Sequence, residues 1–397
     1  MSSYSPSLAG LPLAPDVRER VDGVVHSLRE GVLQREADGG RPHEEITALR
    51  EAGLLVGPWS TASGPRIETW DAVLAATAEL AAVDASAAFL LGYHHMHVQL
   101  LASSGNPAIA EWAAHGTAAE GWSWGGANNP SGARTVVTEV DGGYRLSGAK
   151  EFATGSLSAD KLIIQESSPT EESPLRRIVL AVDAASPGLD IVADWDGIGV
   201  VRSATNRIVF DDVFVPAERF VKYSRVGNEH PLLVETASAP GFQIVFANVY
   251  LGIALGALRR SYDYLYGDGS GTPNKRLGLS HVQEIFGELV VAVGVARQSV
   301  ERANESFARL LAAGTGAVSQ EEYRELARQV IETKVFVHET VLEVTQRVFE
   351  VTGSRGAMKG IGLDKFWRDS RNHSLHDELR VRQRYVGALA LGVEPAS

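Results

Sequence analysis

The chain has no cysteine among its 397 residues. That one absence excludes disulfide scaffolds, thiol nucleophiles, cysteine-ligated zinc and iron–sulfur clusters together. Positive charge is also short. Thirty-seven Lys and Arg stand against 49 Asp and Glu, a net charge of −12, which repels phosphate backbones and argues against nucleic acid as a partner. No apolar run is long and unbroken. The richest, residues 245–258, is interrupted by Asn248, Tyr250 and glycines and is shorter than the ~20 residues of a membrane span. The opening residues, MSSYSPSLAGLPLAPDVRER, carry no cationic stretch ahead of an apolar core, so no secretory signal and no membrane are expected, and a cytoplasmic location is. Hydrophobic residues at 44% and charged residues at 22% are ordinary globular proportions, and the length suggests two or three domains. With thiols gone, any chemistry must come from His, hydroxyls, carboxylates, cations or a bound organic cofactor.

What is present changes character twice along the chain. Val17, Val21, Val24, Val25 and Leu28 recur at helical spacing, Ile46, Leu49, Leu54 and Leu55 follow, and the Ala-rich stretch 70–101 reads as one or two buried helices. From about 121 to 221 the period becomes two. Residues 135–140, the turn Asp141–Gly142–Gly143 and residues 144–146 read as a hairpin, with further strands at 161–165, 177–182, 189–192 and 206–210. No helix-length segment separates them, so the strands are expected to be mostly antiparallel, in a barrel or sandwich. After 241 the pattern is helical again, with long candidates at 241–266, 279–313, 319–352 and 375–391. Ser319 with Glu322 forms a capping box and Gly353 stands where a helix ends. Four such helices suggest a bundle. The expected fold class is therefore α+β and multidomain: helical 1–118, β 119–232 and a four-helix bundle 233–397.

Each motif carries a bland reading beside a chemical one. Gly121–Trp122–Ser123–Trp124–Gly125 matches a nucleophile elbow, but a Gly/Asn-rich loop follows where a helix is required. Such a loop can instead let backbone approach a flat ring. Gly267–Asp268–Gly269–Ser270–Gly271 follows a helix and reads as a connector, not a dinucleotide fingerprint. The strings Tyr93–His94–His95–Met96–His97 and Asn372–His373–Ser374–Leu375–His376–Asp377 hold five of eleven histidines. His94 with His97, and His373 with His376, would share a helix face. Four imidazoles could bind zinc, nickel or non-haem iron. The ordinary reading is a satisfied interior or surface histidine, and no metal is assigned. A third reading is a proton donor beside a reactive cofactor. The stretch 365–371 reads as a charged helix start or a packing interface. Residues 351–356 close a helix with backbone N–H groups and one arginine, which suits a phosphate as well as a simple stop.

The strings 246–254, 348–351, 366–368 running on to 373–377, 92–94 and 148–152 resemble the two-component, reduced-flavin-dependent monooxygenases of the acyl-CoA dehydrogenase fold, most closely the dibenzothiophene monooxygenase group. The resemblance runs from about residue 20 to 390. It implies an acyl-CoA dehydrogenase-like order of helical domain, middle β domain and C-terminal bundle, usually a homotetramer. It also implies FMN, delivered as FMNH2 by an NAD(P)H:flavin reductase, with molecular oxygen as co-substrate. A flavin C4a-hydroperoxide would pass one oxygen to sulfur, nitrogen or an electron-rich ring. By resemblance, His94 and His376 would hold and protonate the peroxide, with His373 beside them and the Thr154 hydroxyl near the flavin. Phe152 and Trp195 match flavin-packing aromatics. Asn128, Asn129, Ser203 and Thr205 match flavin contacts, and Arg355 with Gly356 matches a phosphate site, offered by resemblance to a neighbouring subunit's cofactor.

Three departures weaken the full likeness. The flavin-facing Asn that the resemblance places near Ala127 is not aligned, although Asn128 is adjacent. No Arg precedes Phe286–Gly287, where an FAD pyrophosphate grip would need one. His95 and His97 are additions, expected to line the substrate pocket with residues 240–248. The alternative within the fold is an acyl-CoA dehydrogenase or oxidase using bound FAD. Its carboxylate base would fall at Asp377, or near Phe242, which cannot act as a base.

Overall fold

The computed structural model describes residues 4–60, 64–127, 135–167, 177–223, 240–268, 270, 272–313 and 318–393. Six helices come first: α1 (Pro15–Arg29), α2 (Val32–Asp38), α3 (His43–Glu51), α4 (Trp70–Ala81), α5 (Ala85–Ala102) and α6 (Pro107–Glu120). The α1 stripe buries Val17, Val21, Val24 and Leu28, with Val25 half-buried. The Ala-rich stretch divides at Asp84. Its carboxylate accepts the N–H groups of Ser86 and Ala87 at 2.9 and 3.2 Å, an N-cap that starts α5 afresh. Alanines on α4 and α5 let neighbouring helices pack close, and α5 is buried almost all round.

Eight strands follow: β1 (Trp124–Ala127), β2 (Thr135–Val140), β3 (Gly143–Ala153), β4 (Lys161–Ser167), β5 (Arg177–Asp183), β6 (Leu189–Val192), β7 (Asn206–Pro216) and β8 (Phe220–Tyr223). They form two four-stranded sheets, ordered β1-β4-β5-β8 and β2-β3-β7-β6. β1 pairs parallel with β4, and the other described pairings are antiparallel. Leu146, Ile208, Phe210 and Val213 of one sheet meet Leu162, Ile164, Leu180 and Val182 of the other. The alternate residues Ile163, Val179 and Ala181 face the opposite way and join the helical core. Period two thus explains why one sheet is buried on both faces. The sequence reading missed β1 and β8. β1 is Trp–Gly–Gly–Ala and shows no alternation. A Cβ on Gly126 would lie 2.2 Å from the Ile163 carbonyl oxygen, so glycine is what admits this strand beside β4.

The C-terminal part holds α7 (Pro240–Leu265), α8 (Ser280–Ala313), α9 (Gln320–Thr352), α10 (Leu363–His373) and α11 (Leu379–Leu391). The capping box at Ser319 and Glu322 is formed, and Gly353 ends α9 with φ of 73°. The expected helix 375–391 is corrected. A separate helix, α10, covers the charged stretch and ends at His373. The chain then turns, and α11 begins only at Leu379. Ser374 Oγ donates to the Arg371 carbonyl at 2.8 Å and competes with continuation of the helix. The apolar run 245–258 also proves to be part of a 26-residue helix long and apolar enough to span a membrane, yet its most apolar window is wholly buried in the protein. One of its polar groups finds its partner on a neighbouring helix. Asn248 and Asn304 exchange side-chain hydrogen bonds of 2.8 and 2.9 Å.

α7 touches α4 so closely that a Cβ on Gly252 would lie 2.1 Å from the Ala78 carbonyl oxygen. Gly252→Ala is expected to cost about 1–3 kcal/mol by overpacking. Gly287→Ala on α8, where nothing lies within 4 Å, is expected to be neutral or stabilising. Chemical denaturation midpoints of the two variants check the contrast.

Candidate active site

α10 delivers two imidazoles to one place. His373 is its last residue, and the following turn returns the His376 N–H to the His373 carbonyl at 3.0 Å. The rings stack, 5.1 Å between centroids and 7° between planes. The pair therefore meets across a helix end rather than along a helix face. An aromatic wall surrounds it. Phe89 of α5 lies 4.1 Å from the His373 ring, and Phe246 of α7 lies 4.7 Å from His373 and 5.0 Å from His376. Tyr93 and Phe242 continue the wall, 5.2 Å apart. Tyr250 Oη hydrogen-bonds His373 Nδ1 at 2.9 Å, fixing that ring. Tyr250 was missed from the sequence, although it stands four residues after Phe246 and so on the same helix face.

Burial, with the neighbouring His376 and Lys334, holds the His373 pKa well below 6.5. His376 lies at the solvent edge. The protein packed behind it still lowers its pKa, against the opposing pull of Asp377. Among the described residues neither His376 ring nitrogen has a hydrogen-bond partner. A neutral imidazole with both nitrogens available can donate one proton and accept another.

His94 is held differently. Its Nδ1 accepts the Trp124 N–H at 3.1 Å, so its proton sits on Nε2, which donates to the Leu55 carbonyl at 2.7 Å. Both nitrogens are committed to backbone, and among the described residues no ring contact joins it to His373 or His376. The backbone amide that requires this imidazole belongs to β1, a strand too short to hold itself. His95 likewise bonds the Leu54 carbonyl at 2.9 Å, and it packs on Trp59 and Trp70. His97 faces Tyr93 and Phe242.

Burial takes the His94 pKa down to about 4, against the opposing Leu55 hydrogen bond. His338, buried beside Lys334, also falls to about 4. In the unfolded chain these groups take up a proton near pH 6.5, while the folded protein keeps them neutral. Their stabilisation is therefore complete above pH 6.5 and is lost as pH falls toward 4, up to about 3 kcal/mol for His94. Urea midpoints are expected to fall steadily over that window, and less steeply for His94→Gln.

The expected hydroxyls do come together. Thr154 Oγ1 lies 3.3 Å from Thr205 Oγ1, which lies 2.8 Å from Ser203 Oγ. The Tyr93 phenol, buried and pushed up in pKa, hydrogen-bonds Thr154 and ties this row to the aromatic wall. The row is built by close backbone packing. The Gly155 N–H donates to the Ser203 carbonyl at 2.9 Å, and a Cβ on Gly125 would lie 2.8 Å from the Thr154 oxygen. Val200 and Ala204 flank Ser203 at φ of 45° and 51°, left-handed conformations that cost β-carbon residues about 1–3 kcal/mol and persist only where surroundings impose them. Arg202 supplies one anchor, with bonds to buried Glu45 at 2.6 and 2.8 Å and to the Gly39 and Arg41 carbonyls at 2.7 and 3.0 Å. Trp195 donates its indole N–H to the Val200 carbonyl at 3.1 Å.

Phe152 is 56% exposed at φ of 57°, an aromatic face turned out on a strained backbone. Arg355 is exposed beyond the end of α9, and among the described residues nothing pairs with it. Gly356 beside it is buried, where a Cβ would lie 2.0 Å from Thr352 Oγ1. Asn128 and Asn129 lie outside the described residues. An exposed aromatic ring and a row of hydroxyls beside glycine-lined backbone suit a flat, heteroatom-rich ring. Among the described residues no group of three or more His, Asp or Glu is arranged for a metal ion.

Asp377, the carboxylate a dehydrogenase would need, is clamped by Lys334 at 3.0 Å and Arg382 at 2.6 Å. Burial would raise its pKa, but the two cations win and lower it. A carboxylate held this way is a poor base. Phe242 occupies the alternative base position, wholly buried.

Residues 244–380 match the family model for the acyl-CoA dehydrogenase C-terminal domain. The chain is 30% identical to a probable FMNH2-dependent monooxygenase of Pseudomonas putida, covering 90% of each chain. It is 29% identical to the dibenzothiophene monooxygenase of Mycolicibacterium goodii, over 91% of this chain and 90% of that one. Among solved structures, TdsC of Paenibacillus in complex with FMN and indole is 28% identical. It superposes with a TM-score of 0.84, covering 96% of this chain and 98% of that one.

Proposed function

This chain belongs to the FMNH2-dependent monooxygenases of the acyl-CoA dehydrogenase fold, and from that premise we propose that His376 is the proton donor, and His373 the ring that positions it, in transfer of one oxygen atom from dioxygen to a small organic substrate. Reduced FMN, when bound, supplies the two electrons that let dioxygen give up a single atom. The protein's own work is the rest. The Thr154–Thr205–Ser203 hydroxyls offer hydrogen bonds to the ring edge, Phe152 and Trp195 pack its faces, and Arg355 with the Gly356 turn reaches the phosphate of a neighbouring subunit's cofactor. Phe89, Phe242 and Phe246 exclude water, which would otherwise carry protons in and release peroxide. His94 acts indirectly, by holding β1. One observation carries the reading: two stacked imidazoles, one pinned by Tyr250 and one unpartnered, stand against an aromatic wall.

The acceptor is sulfur, nitrogen or an electron-rich ring. The wall is aromatic, and Lys334 and Arg382 behind it are already paired with Asp377, which favours a neutral, flat substrate over an anion. Reduced FMN would come from a separate NAD(P)H:flavin reductase in the cytoplasm. A homotetramer fits the exposed Val291 and Val295 on α8 (67% and 51%), beside the open Gly287 and Gly294. We take residues 1–118, 119–232 and 233–397 as the domains, a division supported by the change from helices to strands and back.

The purified protein is expected to be colourless or faintly yellow. Supplied with FMN, a flavin reductase, NADH and isotopically labelled dioxygen, it should place one labelled atom in a thiophene, sulfone or indole product. Tight co-purification of FAD, or peroxide as the sole product across that panel, would count against the reading.

A further inference from the structure

We propose that Asp369 is a positioning residue. It sets Val200, and through Val200 the Trp195 indole, against the helix that carries His373. The inference rests on the flavin reading of Trp195 given above.

The two oxygens of this buried carboxylate do different things. Oδ2 accepts from Lys365 Nζ at 2.7 Å, and Lys365 also reaches Glu36 of α2 at 3.3 Å. Oδ1 is spent on the Val200 N–H at 2.6 Å, across 169 residues of sequence. A carboxylate needed only as a counter-ion for Lys365 has no reason to reach a backbone amide in another part of the fold. The amide it holds belongs to a β-branched residue at φ of 45°, a conformation valine adopts only when something outside it insists. The carbonyl of the same residue receives the Trp195 indole N–H at 3.1 Å. Asp369, Val200 and Trp195 therefore form one line of hydrogen bonds.

The surrounding contacts keep that line short. A Cβ on Gly199 would fall 2.2 Å from the Arg368 carbonyl oxygen, and one on Gly197 would fall 2.5 Å from the Trp195 ring and 3.0 Å from Asn372 Oδ1. Arg368 Nη1 also donates to the Ile198 carbonyl at 3.2 Å. Residues 195–200 thus lie directly on α10, and His373 follows Asp369 by one helical turn. The carboxylate fixes the spacing between an aromatic bed on the β side and the imidazoles on the helix side.

The test uses the full chain, titrated with oxidised FMN and read by flavin fluorescence and by visible circular dichroism of the bound ring. Asp369→Ala is expected to raise the FMN Kd about tenfold, as loss of a charge-assisted hydrogen bond would, and to change the flavin dichroism. Asp369→Asn keeps an acceptor for the Val200 N–H and is expected to stay within about twofold of the parent in both. A purely structural role lowers thermal stability but leaves Kd and dichroism of the folded fraction unchanged; that result overturns the proposal, as does an Asn variant as impaired as Ala. Should Asp369→Ala fail to fold, Trp195→Phe breaks the other end of the line. It is expected to change the dichroism, and an unchanged spectrum overturns the proposal. Failure of the parent protein to bind FMN at all would instead strike the flavin reading itself.

Discussion

Replacing His376 by alanine is expected to cut oxygenated product about 10²-fold or more while FMN binding stays within about twofold of the parent, as loss of a positioned proton donor should. Dioxygen would still be consumed, and would appear as hydrogen peroxide. The specificity of this loss follows from how His376 is held. Among the described residues its ring makes no hydrogen bond, and its aromatic contacts are His373 and Phe246, so removing it breaks no hydrogen bond there. His373→Ala is different in kind, because it also removes the shorter of the Tyr250 hydroxyl's two bonds, at 2.9 Å, and leaves only the backbone carbonyl at 3.3 Å. Peroxide released per NADH, measured beside product and melting temperature, separates the two variants. An unchanged product yield in His376→Ala would remove that residue from the reaction.

The largest stability effect is expected at Lys365. This ammonium is almost wholly buried between Asp369 and Glu36. Burial alone would lower its pKa, but the surrounding carboxylates win and raise it, so it is charged at every working pH. Lys365→Met leaves two carboxylates facing each other with one cation fewer, and is expected to cost about 3–5 kcal/mol. Arg368 still reaches Glu36, so Asp369 bears most of the loss. Neutralising it should therefore restore stability: the double variant Lys365→Met, Asp369→Asn is expected to be more stable than Lys365→Met alone. Denaturant midpoints for the single and double variants measure the coupling. A loss below about 1 kcal/mol in the single variant would show that the pair is screened or replaceable.

The architecture was legible where local rules and packing agree. The α1 stripe, the capping box at Ser319, the alternation in β6 and the apolar run of β4 are short-range patterns that tertiary contacts reinforce. β1 was hidden because its glycines serve a neighbour's backbone, not a pattern of their own. The end of α10 was hidden because His373 to Asp377 has no apolar period to mark a stop. In the site, the string carrying His373 and His376 was plain, and so were the hydroxyls at 154, 203 and 205. The place of His94 was not, since its partners are a carbonyl 39 residues upstream and an amide 30 residues downstream. Asp369 escaped notice for the same reason, although Lys365, Asp369 and His373 at intervals of four already lay on one helix face. Side chains that bond distant backbone leave little trace in a single sequence.

Mixing anaerobic enzyme carrying reduced FMN with dioxygen in a stopped-flow instrument, and following the return of oxidised flavin absorbance, tests the central claim most directly. The expected result is a pronounced lag before oxidised FMN reappears, shortened by added substrate and abolished in His376→Ala. A single fast reoxidation, identical in parent and variant and matching free reduced FMN, would contradict it.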